Sequence, residues 1–223
     1  MLTLRAVSKT FATPTGDVAP LRSISLEIAA GARLAVVGAP ASGKTTLGLL
    51  AAGLLVPDAG PVLVDGCDLS ALDTDERARV RRRNIGVVTD APLLCPTLTV
   101  LDNVCLPLSG PVPDLEARDQ GRALLAALSL DHVQDARPSQ LALLDQRLVA
   151  LARAAVRLPR LIVADTALRG LAPDEQRSWT DVLLRLQHRS GAALLMLCDT
   201  PAEGAACDAV LALRDGELTE WVR

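Results

Sequence analysis

The sequence predicts an α/β protein with a mostly parallel β-sheet whose faces are covered by helices. Two observations lead to this class. Short β-rich runs alternate with segments of helical composition, which is the order of elements in parallel sheets. Apolar residues make up 50% of the 223 residues, which excludes intrinsic disorder and allows a substantial core. One large domain, with room for a small inserted subdomain, is the expected organisation.

The first ninety or so residues carry patterns that predict several strands and two helices. Alternation of apolar and polar residues at 2–7 and 21–28 predicts half-buried strands, and the Pro-, Gly- and Thr-rich segment 12–20 between them predicts a turn. The pattern then predicts, in order, a strand at 33–37, a helix at 44–55, a strand at 62–64, a polar helix at 72–82 and a strand at 85–89.

The middle of the chain has a different character. Residues 91–157 contain three helical patterns and no good strand, at 101–106, 115–129 and 141–156. Strand signals return at 161–165, 192–198 and 209–213, with a helix at 173–188. The helical block therefore reads as an insertion into the sheet-containing part of the chain.

Charge and cysteine usage exclude several function classes. The net charge is −3, and the basic cluster at 77–83 stands beside acidic residues, as on a solvated helix face, so no nucleic-acid partner is expected. The five cysteines show no CxxC spacing, which favours reduced structural thiols over a metal cluster. The chain shows neither a signal-peptide pattern nor an apolar run long enough to cross a bilayer, so a cytoplasmic protein is expected.

Residues 38–45 read GAPASGKT and match G-x-x-x-x-G-K-S/T between a predicted strand and a predicted helix. In such a loop, backbone N–H groups converge on the β-phosphate of a purine nucleoside triphosphate, and the helix N-terminus adds positive potential. Lys44 is expected to reach the β- and γ-phosphates, Thr45 to ligate Mg²⁺ and Thr46 to approach the α-phosphate. The predicted cradle comprises Gly38, Ala41, Ser42, Gly43, Lys44, Thr45 and Thr46. The alternative is a Gly-rich turn that holds no ligand.

The apolar run 161–165 ends in Asp165. An acidic residue at the end of a buried strand is what orients the Mg²⁺ shell in nucleotide sites of this kind. Asp165 is therefore the second predicted metal ligand.

From end to end, the chain resembles the ATP-binding subunits of ABC transporters, especially the lipoprotein-release, macrolide-export and FtsE-like group. Besides the phosphate loop and Asp165, the matching words are LRSISLEI at 21–28, LTVLDNV at 98–104, RPSQL at 137–141, ALARA at 150–154 and LRDGE at 213–217. The resemblance implies a P-loop NTPase with a RecA-like core, a small antiparallel β-subdomain and an inserted helical subdomain. The core and β-subdomain are expected at 1–90 and 158–223, and the helical subdomain at 91–157.

The resemblance also implies partners. Members of the family pair head to tail around two ATP molecules and dock on a membrane permease at the inner face of the membrane. The adenine-stacking aromatic falls on Phe11, for which ordinary packing is the alternative. The docking groove is expected near 90–104, where internal packing is again the alternative; its apolar residues are Pro92, Leu93, Leu94, Cys95 and Leu98.

Four motifs of the family are altered here. Asp90 stands for a glutamine, Thr166 for the catalytic glutamate and Asp199 for a histidine, and LSGGQ becomes LALLD at 141–145. Thr166 cannot act as a carboxylate base, and Leu143 and Leu144 add bulk where glycines bring N–H groups to the opposing phosphate. Each added carboxylate is expected to oppose the triphosphate by about 4 kcal/mol at about 4 Å and an effective dielectric near 20. A bound Mg²⁺ would offset part of this, with Asp90 as a candidate third ligand.

The preferred hypothesis is an ATP- and Mg²⁺-binding subunit that docks on a permease, with weak or no hydrolysis. No catalytic residue is then intact at the family positions 90, 166 and 199. The alternative is an active transport ATPase that powers export or membrane-linked mechanotransmission. A small-molecule kinase is disfavoured because no phosphoacceptor site is evident. The sequence leaves open whether the chain pairs with itself or with a paralogous ATP-binding subunit.

Overall fold

A computed structural model describes residues 1–14, 16–108 and 114–221. Its strands are β1 Leu2–Thr13, β2 Gly16–Ile28, β3 Arg33–Val37, β4 Val62–Val64, β5 Cys67–Asp68, β6 Ile85–Thr89, β7 Leu161–Asp165, β8 Ala193–Cys198, β9 Ala209–Arg214 and β10 Glu217–Glu220. Its helices are α1 Lys44–Ala51, α2 Thr74–Asn84, α3 Val100–Cys105, α4 Leu115–Ala127, α5 Leu143–Ala155 and α6 Pro173–Ser190.

The larger sheet has the strand order β10-β9-β3-β8-β7-β6. Its strands pair in parallel from β9 to β6, and β10 adds an antiparallel edge. Every residue of β7 is buried, as expected for a central parallel strand that is covered on both faces. The predicted α/β class with a mostly parallel sheet is confirmed.

Alternation along β7 divides the core into two clusters. Ile162 and Ala164 belong to a cluster formed mainly with α3 to α6. Leu161 and Val163 face the other cluster, which contains α1 and the smaller sheet. Because successive side chains of a strand point to opposite faces, one apolar run supplies both layers.

The smaller sheet is antiparallel, with the order β2-β1-β4-β5. It corrects the predicted turn at 12–20, since β1 continues to Thr13 and pairs with β2 from Gly16 onward. The outer part of this hairpin is largely exposed, so its side chains show no alternation of burial that the sequence pattern could reveal. Pro20 is tolerated because β2 lies at the edge of the sheet.

The helices α3, α4 and α5 lie in sequence between β6 and β7, where the helical block was predicted. The assignment of 91–157 as a subdomain stays a prediction. The helix predicted at 44–55 ends earlier, at Ala51, and Gly53 follows with a φ of 64°. None of the helices in the described ranges is long and apolar enough to cross a membrane.

Parallel strands place their carboxyl ends at one edge of a sheet. The segments after β3, β6, β7 and β8 therefore meet there, and they begin with Gly38, Asp90, Thr166 and Asp199. This edge carries the candidate site.

Candidate functional site

A cleft of about 580 Å³ opens at this edge of the larger sheet. One wall comes from the phosphate loop and the start of α1, and another from the hairpin β1–β2. Residues after β6 and β7 form the rest. Its lining consists of Phe11, Val18, Pro20, Pro40, Ala41, Ser42, Gly43, Lys44, Thr45, Thr46, Thr89, Asp90, Asp165, Thr166 and Arg169.

The phosphate loop leaves no room for side chains at its two glycines. A Cβ at Gly38 would meet the Ser42 side chain and lie 2.8 Å from Leu213 O. Gly43 has a φ of 102°, and a Cβ there would meet the Pro20 carbonyl of the hairpin. The glycine spacing found in the sequence is therefore what lets the loop turn tightly and pack against the hairpin.

Lys44 is buried at the first position of α1. Its Nζ donates hydrogen bonds to Gly38 O at 2.5 Å and Ala39 O at 3.0 Å, and it lies 3.4 Å from Asp199 Oδ1. The ammonium group is thus folded into the loop, in a place where phosphate oxygens could take over these contacts.

The surroundings of the loop fit an anionic ligand. Helix α1 has no acidic residue in its first turn and no side-chain cap, so no side chain satisfies its N-terminal N–H groups, and its first three residues line the cleft. Ser42 Oγ is buried and finds no hydrogen-bond partner in the described part of the chain. A phosphate group would satisfy both features.

Asp165 lies at the carboxyl end of β7 and is buried. Burial raises the pKa of its carboxyl group, Asp90 adds to the rise, and the Thr45 side chain and Lys44 counteract it. The Oδ1 atom has no hydrogen-bond partner among the residues described. A buried carboxylate with a spare oxygen beside a threonine hydroxyl fits a hard cation such as Mg²⁺.

The protein offers few ligands of its own for that cation. Within the ranges that the structure describes, no group of three or more His, Cys, Asp or Glu side chains could hold a metal ion. This is compatible with Mg²⁺, which keeps several waters and is bound by one or two carboxylates plus the phosphates of a nucleotide.

Asp90 and Asp199 are both paired with Arg169. Its Nη2 lies 2.8 Å from Asp199 Oδ2, and its Nη1 lies 3.3 Å from Asp90 Oδ2. Partial burial works to raise the pKa of Asp199, but the hydrogen bond and charge of Arg169, together with Lys44, outweigh it and lower that pKa. From the sequence, Asp90 and Asp199 were expected to stand near the triphosphate as unpaired charges. In the structure, the guanidinium of Arg169 partly neutralises both.

Thr166 directly follows Asp165 and lines the cleft. Its backbone has a φ of 46°, which is rare for a β-branched residue, and its N–H donates to Leu197 O at 2.9 Å. A hydroxyl side chain therefore occupies the position where the family resemblance calls for a carboxylate.

Phe11 stands at the mouth of the cleft on β1. It is 40% exposed, and Lys9 Nζ lies 5.5 Å from the centre of its ring. Lys9 thus lies over the ring, and stacking of Phe11 on adenine stays a prediction. The segment at 141–145 does not line this cleft, and Leu143 at the start of α5 is 41% exposed.

Comparison with known proteins decides the family. The sequence profile described as ABC transporter matches residues 21–169. The "Lipoprotein-releasing system ATP-binding protein LolD" of Maricaulis maris (strain MCS10) is 37% identical, in an alignment that covers 100% of this chain and 97% of that protein. This chain belongs to the ABC transporter family.

Some other relatives of this ABC domain are longer. The "Macrolide export ATP-binding/permease protein MacB" of Brucella melitensis biotype 1 is 36% identical over 98% of this chain, which spans 34% of MacB. Among solved structures, "Dimeric structure of a post-hydrolysis state of the ATP-binding cassette MJ0796 bound to ADP and Pi" matches with a TM-score of 0.89 at 28% identity. That match covers 99% of this chain and 97% of the cassette, and it agrees with the predicted P-loop NTPase fold.

The ABC fold thus brings most of the predicted site residues into one cleft. Residues 40–46 of the phosphate loop, Phe11, Asp90, Asp165 and Thr166 line it. Gly38 and Asp199 line an adjacent cavity instead, from which Asp199 contacts Lys44. Their roles stay predictions. Arg169 was missed by the sequence reasoning. The signal for it was a pair of unexplained acids, Asp90 and Asp199, at the ends of the two strands that flank β7, because a cation in the segment after β7 can lie between them.

Proposed function

We propose that this chain binds ATP together with Mg²⁺ and serves as an ATP-binding subunit of a transporter complex, with weak or no hydrolysis of its own. Nucleotide binding is supported by the phosphate loop and by two buried oxygen atoms, Ser42 Oγ and Asp165 Oδ1. Neither has a hydrogen-bond partner among the described residues. The names of the relatives, an ATP-binding protein of a lipoprotein-releasing system and a macrolide export ATP-binding/permease protein, support the transporter role.

One observation carries the proposal of weak hydrolysis. Among the described residues that line the cleft, the carboxylates are Asp165, placed for the metal, and Asp90, paired with Arg169. Thr166 follows the metal ligand, and a threonine hydroxyl does not accept a proton from water near neutral pH. Among the described residues that line the cleft, no free carboxylate is thus positioned to act as a general base or to orient an attacking water.

Calorimetric titration with Mg-ATP, followed by phosphate release over time, tests this proposal. We expect saturable binding without sustained heat, and loss of binding in Lys44→Ala. The exposed Arg122→Ala, on α4, is the control for removing a cation. Sustained heat and phosphate release that disappear in Lys44→Ala would instead establish the alternative, an active ATPase that powers export or membrane-linked mechanotransmission.

We further propose a membrane permease as partner, docking beside the segment that follows β6. Leu93 in this segment is 71% exposed, whereas Leu94 packs partly against the core. Arg153 fixes the segment by donating to Leu93 O at 2.7 Å and Pro92 O at 2.9 Å. Exposed apolar surface held in a fixed conformation suits a docking role.

A neighbouring groove of about 370 Å³ indicates the chemistry of the docking segment. Its lining combines apolar residues with several guanidinium groups, those of Arg81, Arg82, Arg153 and Arg157. A permease segment with acidic and apolar side chains would complement it. In this arrangement the chain acts at the cytoplasmic face of the membrane, held there through the permease.

Leu93→Asp tests docking more cleanly than a substitution of Leu94, because the Leu93 side chain is exposed and can change without disturbing the core. We expect reduced co-purification with the co-expressed permease and an unchanged melting temperature. The exposed Leu115→Asp, on α4, is the matched control. Equal recovery of permease with both variants would contradict docking at this segment.

Pairing with a second ATP-binding subunit completes the proposal. Solved structures similar to this chain are described as dimeric cassettes. Sedimentation of the purified chain with and without Mg-ATP distinguishes the two possible pairs. A nucleotide-dependent dimer indicates self-association, and a monomer at all concentrations indicates a paralogous partner.

A further inference from the structure

Arg169 joins the loops that follow three adjacent strands. It belongs to the segment after β7, and its guanidinium contacts Asp90 after β6 and Asp199 after β8. Both Nε and Nη2 approach the same Asp199 oxygen, at 3.2 Å and 2.8 Å. The side chain is 51% exposed and lines the cleft, so it is not a core brace hidden from a ligand.

The charges at this end of the cleft do not favour an anion unaided. Two cationic side chains, Lys44 and Arg169, share the region with three carboxylates, those of Asp90, Asp165 and Asp199. A triphosphate brings several further negative charges. The buried Arg147 also acts on Asp90 through its charge, but its guanidinium donates to the backbone carbonyls of Ala167 and Arg169. Among the described residues, Lys44 would therefore be the one cation left in ion-pair contact with these carboxylates without Arg169, and like charges at short range oppose binding strongly.

Asp199 is the carboxylate with the most direct effect, because it contacts the phosphate-binding lysine. Its Oδ1 lies 3.4 Å from Lys44 Nζ, while its Oδ2 is held by Arg169. A phosphate that binds Lys44 competes with Asp199 for the ammonium group. By sharing the charge of Asp199, Arg169 weakens that competition.

We propose that Arg169 is a specificity-determining residue of the nucleotide site, which admits polyphosphate by neutralising Asp199 and Asp90. The inference rests on the proposed nucleotide binding and adds a graded preference to it. The opposition from the two carboxylates increases with the negative charge placed near them. Arg169 therefore matters most for ATP, less for ADP and least for AMP.

The test is a double-mutant cycle read by nucleotide affinity. Arg169→Gln is expected to weaken ATP binding about tenfold or more, which corresponds to about 1.4 kcal/mol, with a smaller loss for ADP and little for AMP. Asp199→Asn, added to Arg169→Gln, is expected to restore most of the ATP affinity because it removes the unneutralised charge. Arg169→Lys keeps the charge and should stay within about threefold of the wild-type affinity.

Arg122→Gln is the matched control, because Arg122 forms an exposed ion pair with Asp119 and does not line the cleft. Melting temperatures of all variants separate a charge effect from a folding defect. The inference is overturned if Arg169→Gln binds ATP as Arg122→Gln does, or if Asp199→Asn restores nothing. It also fails if ATP, ADP and AMP affinities fall equally along with the melting temperature. Absence of nucleotide binding in the wild-type chain would be a different result, one that removes the proposed function itself.

Discussion

Two residues of the phosphate loop, Ala41 and Gly43, have a positive φ, a conformation that glycine adopts without steric cost and alanine does not. Gly43 takes a φ of 102° without a Cβ to obstruct it. Ala41, two residues earlier, takes a φ of 64° with a Cβ, at a cost of about 1–2 kcal/mol. The loop therefore stores a small strain at an exposed position.

Ala41→Gly should release this strain. We expect the free energy of unfolding to rise by roughly 0.5–1 kcal/mol, because the relief exceeds the extra chain entropy of glycine. Ala123→Gly is the matched control: it makes the same chemical change at an exposed site inside α4, where glycine costs about 1 kcal/mol. Urea unfolding should show a higher free energy of unfolding for Ala41→Gly and a lower one for Ala123→Gly. Equal losses would show that the Ala41 conformation is not strained.

Sequence reasoning reached the cleft most directly at residues whose chemistry is local. Lys44 and Thr45 follow the glycine spacing of one loop, and Asp165 ends one apolar run, so neighbours along the chain mark them as candidates, and all three line the cleft. Their roles stay predictions. Asp90 and Asp199 were expected to repel phosphate as isolated charges. Their pairing with Arg169 joins residues 30 and 79 positions apart, and such a choice of partner depends on the packing of strands rather than on a motif.

At the scale of elements, one buried arginine connects the helical region to the site. Arg147 on α5 donates hydrogen bonds to Ala167 O at 2.5 Å and Arg169 O at 2.9 Å, both in the loop after β7. It is buried, and burial lowers its pKa while Asp90 counteracts the shift. The fork of the guanidinium therefore fixes the backbone that presents Arg169 to the cleft.

Arg147→Lys should loosen this connection while keeping the charge. A single ammonium group cannot reproduce the fork that serves two carbonyls, so we expect a loss of about 1–2 kcal/mol in unfolding free energy. Arg122→Lys, exposed on α4, should change stability by less than about 0.5 kcal/mol. Denaturant titration measures both. If the two substitutions cost the same, the α5 contact does not stabilise the loop.

The elements themselves were predictable where burial imposed a pattern. Strands β3, β6 and β7 are continuous apolar runs, and the structure places all three at their expected bounds. The outer hairpin of β1 and β2 escaped prediction because its pairing is through backbone hydrogen bonds, with little side-chain burial to leave a trace in the sequence. Short strands such as β5, two residues long, are below the length at which alternation can be recognised.

At the scale of the whole molecule, the site opposes the stability of the ligand-free fold. Asp165 places a carboxylate in a buried position with an unpartnered oxygen, and its pKa is raised by that burial. The raised pKa means that the ionised form destabilises the folded chain without a cation. Binding of Mg-ATP would reverse this effect, because a ligand that binds only the folded state adds about 2.7 kcal/mol at a hundred times its dissociation constant.

Asp165→Asn should therefore separate stability from binding. Near pH 7 we expect the ligand-free variant to melt about 2–4 °C higher than the wild type, the shift that 1 kcal/mol produces in a chain of this size. With Mg-ATP the order should reverse, because the variant lacks the charge that holds the metal. Asp119→Asn, which removes a charge from an exposed ion pair, should leave the melting temperature unchanged both with and without Mg-ATP. A variant that is less stable without ligand would show that the ionised carboxylate does not destabilise the fold.

The pH dependence gives the same argument a second test. Because the folded pKa of Asp165 is raised above 3.8, the folded chain binds a proton before the unfolded chain as the pH falls. The wild type then gains stability relative to Asp165→Asn, and the melting-temperature advantage of the variant should shrink as the pH falls from neutral toward 3.8. Asp199 has the opposite sign, since its lowered pKa confines its loss of stability to pH values below about 3.8, outside this window. A difference that stays constant or widens as the pH falls toward 3.8 would show that burial does not raise the pKa of Asp165 in the folded chain.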